Sequence, residues 1–416
     1  MTYLSERINT PISTKELERR WAAVRAAMVE QRIDVLLMQN NNDHMGGYVK
    51  YFTDLPAMFG YPITVVFPKD DRMSVICQGA IGSHTELPVE GDGLRRGVKN
   101  LMTTSSFASA PYSMVYDAQH AEKALEPYSS ATIGMVGLGT LPFSLVDYLR
   151  GGKLSKAKFV DASDLVDQIK VIKSAEEIAL IRRTATLQDT AMKAAFAAIK
   201  PGMRESEVAA VAEHVVNAGG GEQGIYLCSS TPGSDPIGQA AWQGNRHVQN
   251  RALREGDVFT LLVETNGPGG MYTELGRSCV LGKAPQELKD DLEIILEARR
   301  LTLSMLKPGA SCKDIWNAHN QFMRRHGKPE EQRLYCHGQG YDLVERPLVR
   351  FDEPIFIQKD MNITCHPNYV TKRFFSSITD NYLIGDNGVM EHIHRFPEVI
   401  VELGSVASIL PETISV

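Results

Sequence analysis

The sequence predicts two domains, an α/β unit over residues 1–168 and an α+β unit with an internal duplication over residues 169–416. Three observations predict this. The chain has 416 residues, more than one typical core serves. Its first part alternates helical and strand periodicities. Its second part carries a helix, Lys-Pro-Gly, helix unit twice.

In the first part, Ser13 and Thr14 offer N-caps for a helix in which Leu17, Trp21, Val24 and Met28 recur at helical spacing. Asp34 to Met38 reads as a short buried strand. Ile63–Phe67 and Met73–Cys77 flank Pro68-Lys69-Asp70-Asp71 as a hairpin. Thr132–Val136 predicts a strand, Phe143–Arg150 a helix and Lys158–Asp161 a closing strand. Gly134 to Gly139 is glycine-rich but lacks the GxGxxG order, so it reads as a strand-to-loop turn.

The boundary falls near Val166–Lys173. Ser174 and Glu177 then have capping-box spacing, where hydroxyl and carboxylate each satisfy a free backbone donor. Ile178, Ile181, Ala185 and Met192 form one apolar face, and Lys200-Pro201-Gly202 ends the helix. Leu292 to Leu306 repeats the pattern, closed by Lys307-Pro308-Gly309. Val258–Glu264, Ser278–Leu281 and Asn381–Ile384 predict the sheet beneath these helices.

Composition narrows the function. Hydrophobic residues make up 43% and charged residues 23%, an ordinary globular balance. A formal charge of -6 argues against a nucleic-acid partner, which needs a concentrated basic surface. No apolar run reaches the roughly 18–20 residues of a membrane span, so no membrane partner is expected. The six cysteines form no CxxC pair and the first residues lack the blocks of a secretory signal. Reduced thiols in a cytoplasmic protein are the expectation.

Several motifs, in order, carry a family resemblance. Val171-Ile172-Lys173-Ser174-Ala175-Glu176-Glu177-Ile178 leads into the two Lys-Pro-Gly turns. Gly256-Asp257, Tyr272 to Ser278, His337-Gly338-Gln339-Gly340 with Glu345-Arg346-Pro347, and Asp380 to Ile384 with Gly388 follow. Together they resemble the creatinase/prolidase/aminopeptidase P superfamily, the M24 or pita-bread group. The resemblance implies an RNase H-like N-terminal domain, a pita-bread C-terminal domain with pseudo-twofold halves, and a homodimer.

A peptidase of that superfamily holds two divalent ions with two Asp, one His and two Glu. This chain departs from the set. Glu274 stands at the second Asp, and the first Asp falls at Leu262 or Val263, with Glu264 the nearest acid. His337 keeps the His position. His366, in Cys365-His366-Pro367, replaces the first Glu, and Thr379 replaces the second. The resemblance therefore implies no metal or one Zn, Fe or Mn ion on Glu264, Glu274, His337 and His366, rather than a dinuclear site.

The catalytic candidates are His337, His366 and Glu274, with His247 as a proton shuttle by analogy with creatinase, which uses a His without metal. Glu345, Arg373, Trp242 and Tyr272 are candidate substrate contacts, with Glu345 alternatively half of a surface pair with Arg346. The creatinase carboxylates are absent, with Gly276 and His366 in their places, so creatine is not the expected substrate. Expected first is a creatinase-like hydrolase cleaving a C–N bond of a small polar metabolite. The alternatives are a small-molecule lyase, an Xaa-Pro peptidase with a divergent metal site, and a non-catalytic binding module. His337 to Val349 and Ser229 to Pro236 resemble the superfamily's dimethylsulfoniopropionate lyases, which implies a creatinase-like member on the non-peptidase, small-molecule side of the superfamily and does not imply that substrate.

Overall fold

The computed structural model describes residues 12–40, 47–56, 60–89, 91–233, 250–371 and 374–404. The described residues divide into two compact units, 12–170 and 171–404.

In the N-terminal unit, the Ser13 hydroxyl accepts from the Glu16 N–H and starts the helix Thr14–Gln31. Leu17, Trp21, Val24 and Met28 line its buried face, as the spacing predicts. The strand Val35–Asn40 is buried throughout and pairs antiparallel with Ile63–Pro68 and parallel with Thr132–Val136. Ile63–Pro68 and Met73–Gln78 form the expected hairpin. Among the described residues the sheet has seven strands, with Ser83–Glu86 at one edge and Lys158–Asp161 at the other. Val35, Leu37, Val66, Ile76, Leu125, Leu145 and Leu149 fill the core between sheet and helices. Ser83–Glu86 escapes sequence reading because all four of its residues are exposed, leaving no apolar alternation to detect.

The C-terminal unit begins with the predicted capping box. Glu177 N–H donates to Ser174 Oγ at 3.2 Å, and Ser174 N–H donates to the Glu177 carboxylate at 2.7 Å. The helix Ala175–Ala198 runs to the first Lys-Pro-Gly turn, and Glu205–Ala218 follows it. Gln286–Met305 and Cys312–Arg325 flank the second turn in the same way. Gly202 and Gly309 take φ of +93° and +86°, values that a side chain would strain. That shared requirement explains why both turns carry glycine.

Each helix pair belongs to one half of the unit. Met192, Phe196, Val208 and Ala212 pack with Phe259, Leu261 and Leu275 of a four-stranded sheet. Ile315 and Trp316 pack with Tyr335 and with Ile363 and Tyr382 of a five-stranded sheet. The halves join where Gly276 and Thr379 exchange backbone hydrogen bonds of 3.1 and 3.3 Å. This is an α/β domain followed by an α+β pita-bread domain with two similar halves.

One buried group gives the N-terminal unit a pH-dependent stability. Asp117 is fully buried and accepts from Gln39 Nε2 at 3.0 Å, while its Oδ1 has no partner among the described residues. Burial raises its pKa to about 7. The folded state then keeps a proton that the unfolded state releases near the ordinary value. Stability therefore falls as pH rises through the window from about 4 to about 7. Asp117→Asn should flatten that slope and stabilise the unit at pH 8 by on the order of 1–4 kcal/mol. Denaturant unfolding at pH 5 and pH 8 checks it, and an unchanged slope in the variant counts against it.

Candidate active site

The strands Asp257–Asn266 and Tyr272–Leu281 are antiparallel, and their register sets Glu264 directly opposite Glu274. Both carboxyl groups are buried. Burial raises the pKa of each; the charge of Glu274 adds to the rise at Glu264, while the Thr364 hydroxyl and Glu264 itself oppose it at Glu274. Two buried carboxyl groups that hydrogen-bond to one another share a proton. Sequence reading named Glu264 as the nearest acid to a vacated position. The register makes it the hydrogen-bonded neighbour of Glu274.

The other half supplies the nitrogen donors. His337, on the strand Cys336–Gly338, lies opposite Thr364 on the strand Asn362–Cys365. His366 follows two residues after Thr364 and faces the same way. His337 Nδ1 lies 2.8 Å from the Gly338 carbonyl. A carbonyl only accepts, so Nδ1 carries the proton and Nε2 presents a lone pair. That Nε2 is 3.8 Å from Glu274 Oε1, and His366 Nε2 is 3.7 Å from the same oxygen. The two rings meet edge to face at 5.2 Å. Burial lowers the pKa of His337 to about 4 and holds His366 well below its ordinary value, with His337 adding to the effect there. Both imidazoles are neutral near pH 7, the form that ligates a metal or accepts a proton.

Glu274, His337 and His366 each offer a ligand atom within 4.8 Å of the others. That donor set suits one borderline ion such as Zn, Fe or Mn. It does not extend to Thr379, whose buried hydroxyl has no partner among the described residues and which packs where a Cβ on Gly276 would stand 2.7 Å away. A neutral hydroxyl there supplies none of the charge that binds a second ion.

Sequence reasoning missed the amides that hold this site. Gln339 Nε2 donates to Glu264 Oε1 at 3.2 Å and to the Leu343 carbonyl at 2.9 Å. Asn381 Nδ2 donates to Gln339 Oε1 at 2.8 Å and to Asn362 Oδ1 at 3.1 Å. Its Oδ1 accepts the Glu274 N–H at 2.8 Å. The HGxG and DNYLI segments contain Gln339 and Asn381, but only the fold shows that they meet each other and Asn362.

A second group, Asp380, His392 and Glu398, is also close enough for an ion. Its acids are already engaged. Arg277 and Arg299 reach Asp380 at 2.8 and 2.6 Å, and Arg299 reaches Glu398 at 2.5 Å. Burial works to raise Asp380, but Arg277, His392 and Arg299 outweigh it and hold it well below the usual carboxylate range. This is a charge-balanced structural network.

The remaining candidates separate. Glu345 is buried and pairs with Lys173 at 2.7 Å, while Arg346 pairs with Glu353 at 2.6 Å. The surface pair of Glu345 with Arg346 is thereby corrected: the strand turns the two side chains to opposite faces. Tyr272 is fully buried, and its N–H donates to the Gly340 carbonyl at 2.6 Å. His247, Trp242 and Arg373 lie outside the described residues.

The profile of metallopeptidase family M24 matches residues 179–389, half of the chain. The chain belongs to that family and is a hydrolase by that membership. It is 26% identical over 270 residues to the Xaa-Pro dipeptidase of Pyrococcus furiosus, covering 62% of this chain and 73% of that protein. It is also 26% identical to the "Uncharacterized hydrolase/peptidase y4tL" of Sinorhizobium fredii, covering 90% of this chain and 93% of that one. The X-Pro aminopeptidase structure from Thermotoga maritima superposes with a TM-score of 0.73 at 19% identity, covering 92% of this chain and 99% of that one. The Pyrococcus horikoshii prolidase gives 0.71 at 20% identity, covering 91% and 99%. At such identities the structures share the fold. Among the described residues, no helix is long and apolar enough to cross a membrane.

The amide network makes a stability prediction. Asn381→Leu strands the Glu274 N–H, Gln339 Oε1 and Asn362 Oδ1 without their partner. Unfolding should cost roughly 2–5 kcal/mol less in the variant. A loss below about 1 kcal/mol would show that water or repacking replaces the amide.

Proposed function

We propose that this chain hydrolyses the C–N bond of a small dipeptide-like amide, in the manner its Xaa-Pro dipeptidase relatives' names describe. In this reading the site takes no more than one divalent ion. The observation that carries it is the convergence of Glu274, His337 and His366 beside the proton-sharing Glu264. These three side chains would hold the ion, which when bound would polarise the scissile carbonyl and activate water.

The chain's own groups have distinct parts in this proposal. With Glu274 on the ion, Glu264 would hold the proton available to a leaving nitrogen. His337 keeps a fixed tautomer through Gly338, so its Nε2 lone pair stays aimed at the reaction centre. Gln339 orients Glu264. Burial excludes bulk water, which strengthens each of these interactions.

A second reading is a metal-free, creatinase-like hydrolase of a small polar metabolite. His366 and Thr379 favour it, since they stand where acids would otherwise attract cations. Either reading fits a cytoplasmic homodimer with a small-molecule substrate.

The two part on substrate and metal. Incubation with Ala-Pro or Gly-Pro, with and without added Mn, Zn or Fe, should release free proline in the metal-supplemented samples. His337→Ala and His366→Ala should each lower that rate by roughly 100-fold or more. Full activity in both variants would refute the site. Turnover of small amides without metal, and none of Xaa-Pro dipeptides, would select the metal-free reading.

A further inference from the structure

The residues of the C-terminal site lie in two rows across the strands, and one of them carries an unused hydroxyl. In the first row Glu264 faces Glu274, the Glu274 N–H donates to Asn381 Oδ1, Asn381 faces Thr364, and Thr364 faces His337. Two residues along the strands, the second row sets Leu262 opposite Gly276, and Gly276 bridges to Thr379. Thr379 in turn stands opposite His366. Cys365 pairs with Asp380 on one side of that position and Asn368 with Ser377 on the other, a single register that runs through residues 366 and 379. Side chains two residues apart on a strand share a face, so the second row opens onto the same space as Glu274.

Thr379 is engaged everywhere except at its hydroxyl. Its N–H donates to the Gly276 carbonyl at 3.3 Å. Its carbonyl accepts from the Gly276 N–H at 3.1 Å and from Arg277 Nη1 at 2.9 Å. The residue is 1% exposed, and Oγ1 makes no hydrogen bond among the described residues. A hydroxyl has one donor and two acceptor sites, and burying all of them unused costs free energy. Oγ1 lies only 2.7 Å from where a Cβ on Gly276 would stand. The missing side chain at 276 therefore lets the hydroxyl lean over the strand that carries Glu274.

Hydrolysis of an amide consumes a water, and a buried water needs two to four polar partners. Thr379 Oγ1 offers one. The Glu274 carboxylate and His366 Nε2, 3.7 Å apart on the neighbouring strands, offer the others.

We propose that Thr379 Oγ1 holds the hydrolytic water beside Glu274, with a lone pair of the water turned to the scissile carbonyl. The inference rests on the hydrolase reading above and applies with or without an ion. The water oxygen bonds to the acyl carbon and the C–N bond breaks. Glu264 gives its proton to the leaving nitrogen, and the surplus proton of the water replaces it on the Glu264–Glu274 pair. The products are a carboxylic acid and an amine, and Thr379 keeps its own proton throughout.

Thr379→Val replaces the hydroxyl by a methyl group, and Thr379→Ser keeps it. Neither change removes a side-chain hydrogen bond found among the described residues, so the fold is retained. The substrate is Ala-Pro or a small amide, whichever the wild type cleaves. Thr379→Val should lower kcat by roughly 10- to 100-fold while KM moves less than about twofold, because the lost contact is to water. Thr379→Ser should stay within several-fold of wild type. A crystal structure of the wild type should show an ordered water about 2.7–2.8 Å from Oγ1, and Thr379→Val should lack it. Full kcat in Thr379→Val, or no water at Oγ1 in the wild type, overturns the inference and leaves the hydrolase reading standing. A wild type that holds the water yet cleaves neither substrate refutes the hydrolase reading, and this inference with it.

Discussion

Two acid side chains, Glu264 and Glu274, lie buried across a strand pair with no lysine or arginine among the described residues forming an ion pair with either. The C-terminal site depends on that constraint. A buried carboxylate must find a proton, a metal or a cation, because solvation by water is withdrawn. Here the nearest groups are two neutral imidazoles, a threonine hydroxyl and a glutamine amide. They orient charge without cancelling it, and so leave the site ready for a proton or a single ion.

The same unit treats another buried acid in the opposite way. Asp380 sits one residue from Asn381, yet its side chain points to the other face of the strand and meets Arg277 and Arg299. One strand thus carries a neutralised ion network on one face and an amide tether for the reactive pair on the other. The Gly276–Thr379 bridge fixes the two halves against each other, so Glu274 and the histidines keep their separation. Rigid backbone positions a site better than long side chains do.

Much of this was legible in the sequence, for identifiable reasons. Ser174 and Glu177, the apolar faces of the helices, and the paired Lys-Pro-Gly turns are local signals, and local physics decides them. His337, His366 and Glu274 were legible as a set through family resemblance, and the fold brings those three side chains together. The partnership of Glu264 with Glu274 was not, because it depends on strand register, which a one-residue slip would erase. Gln339, Asn362 and Asn381 look like ordinary polar residues until three distant segments converge on them. Glu345 misled for a related reason: its neighbour in sequence, Arg346, faces another partner, while Lys173 lies 172 residues away along the chain.

In the proposed reading, imidazole and hydroxyl in place of bridging acids leave too little negative charge to retain a pair of cations. Crystals soaked in manganese, measured for anomalous scattering, address this directly. A single peak at most, among Glu274, His337 and His366, is the predicted result. Two fully occupied peaks a few ångströms apart in the C-terminal unit would contradict it.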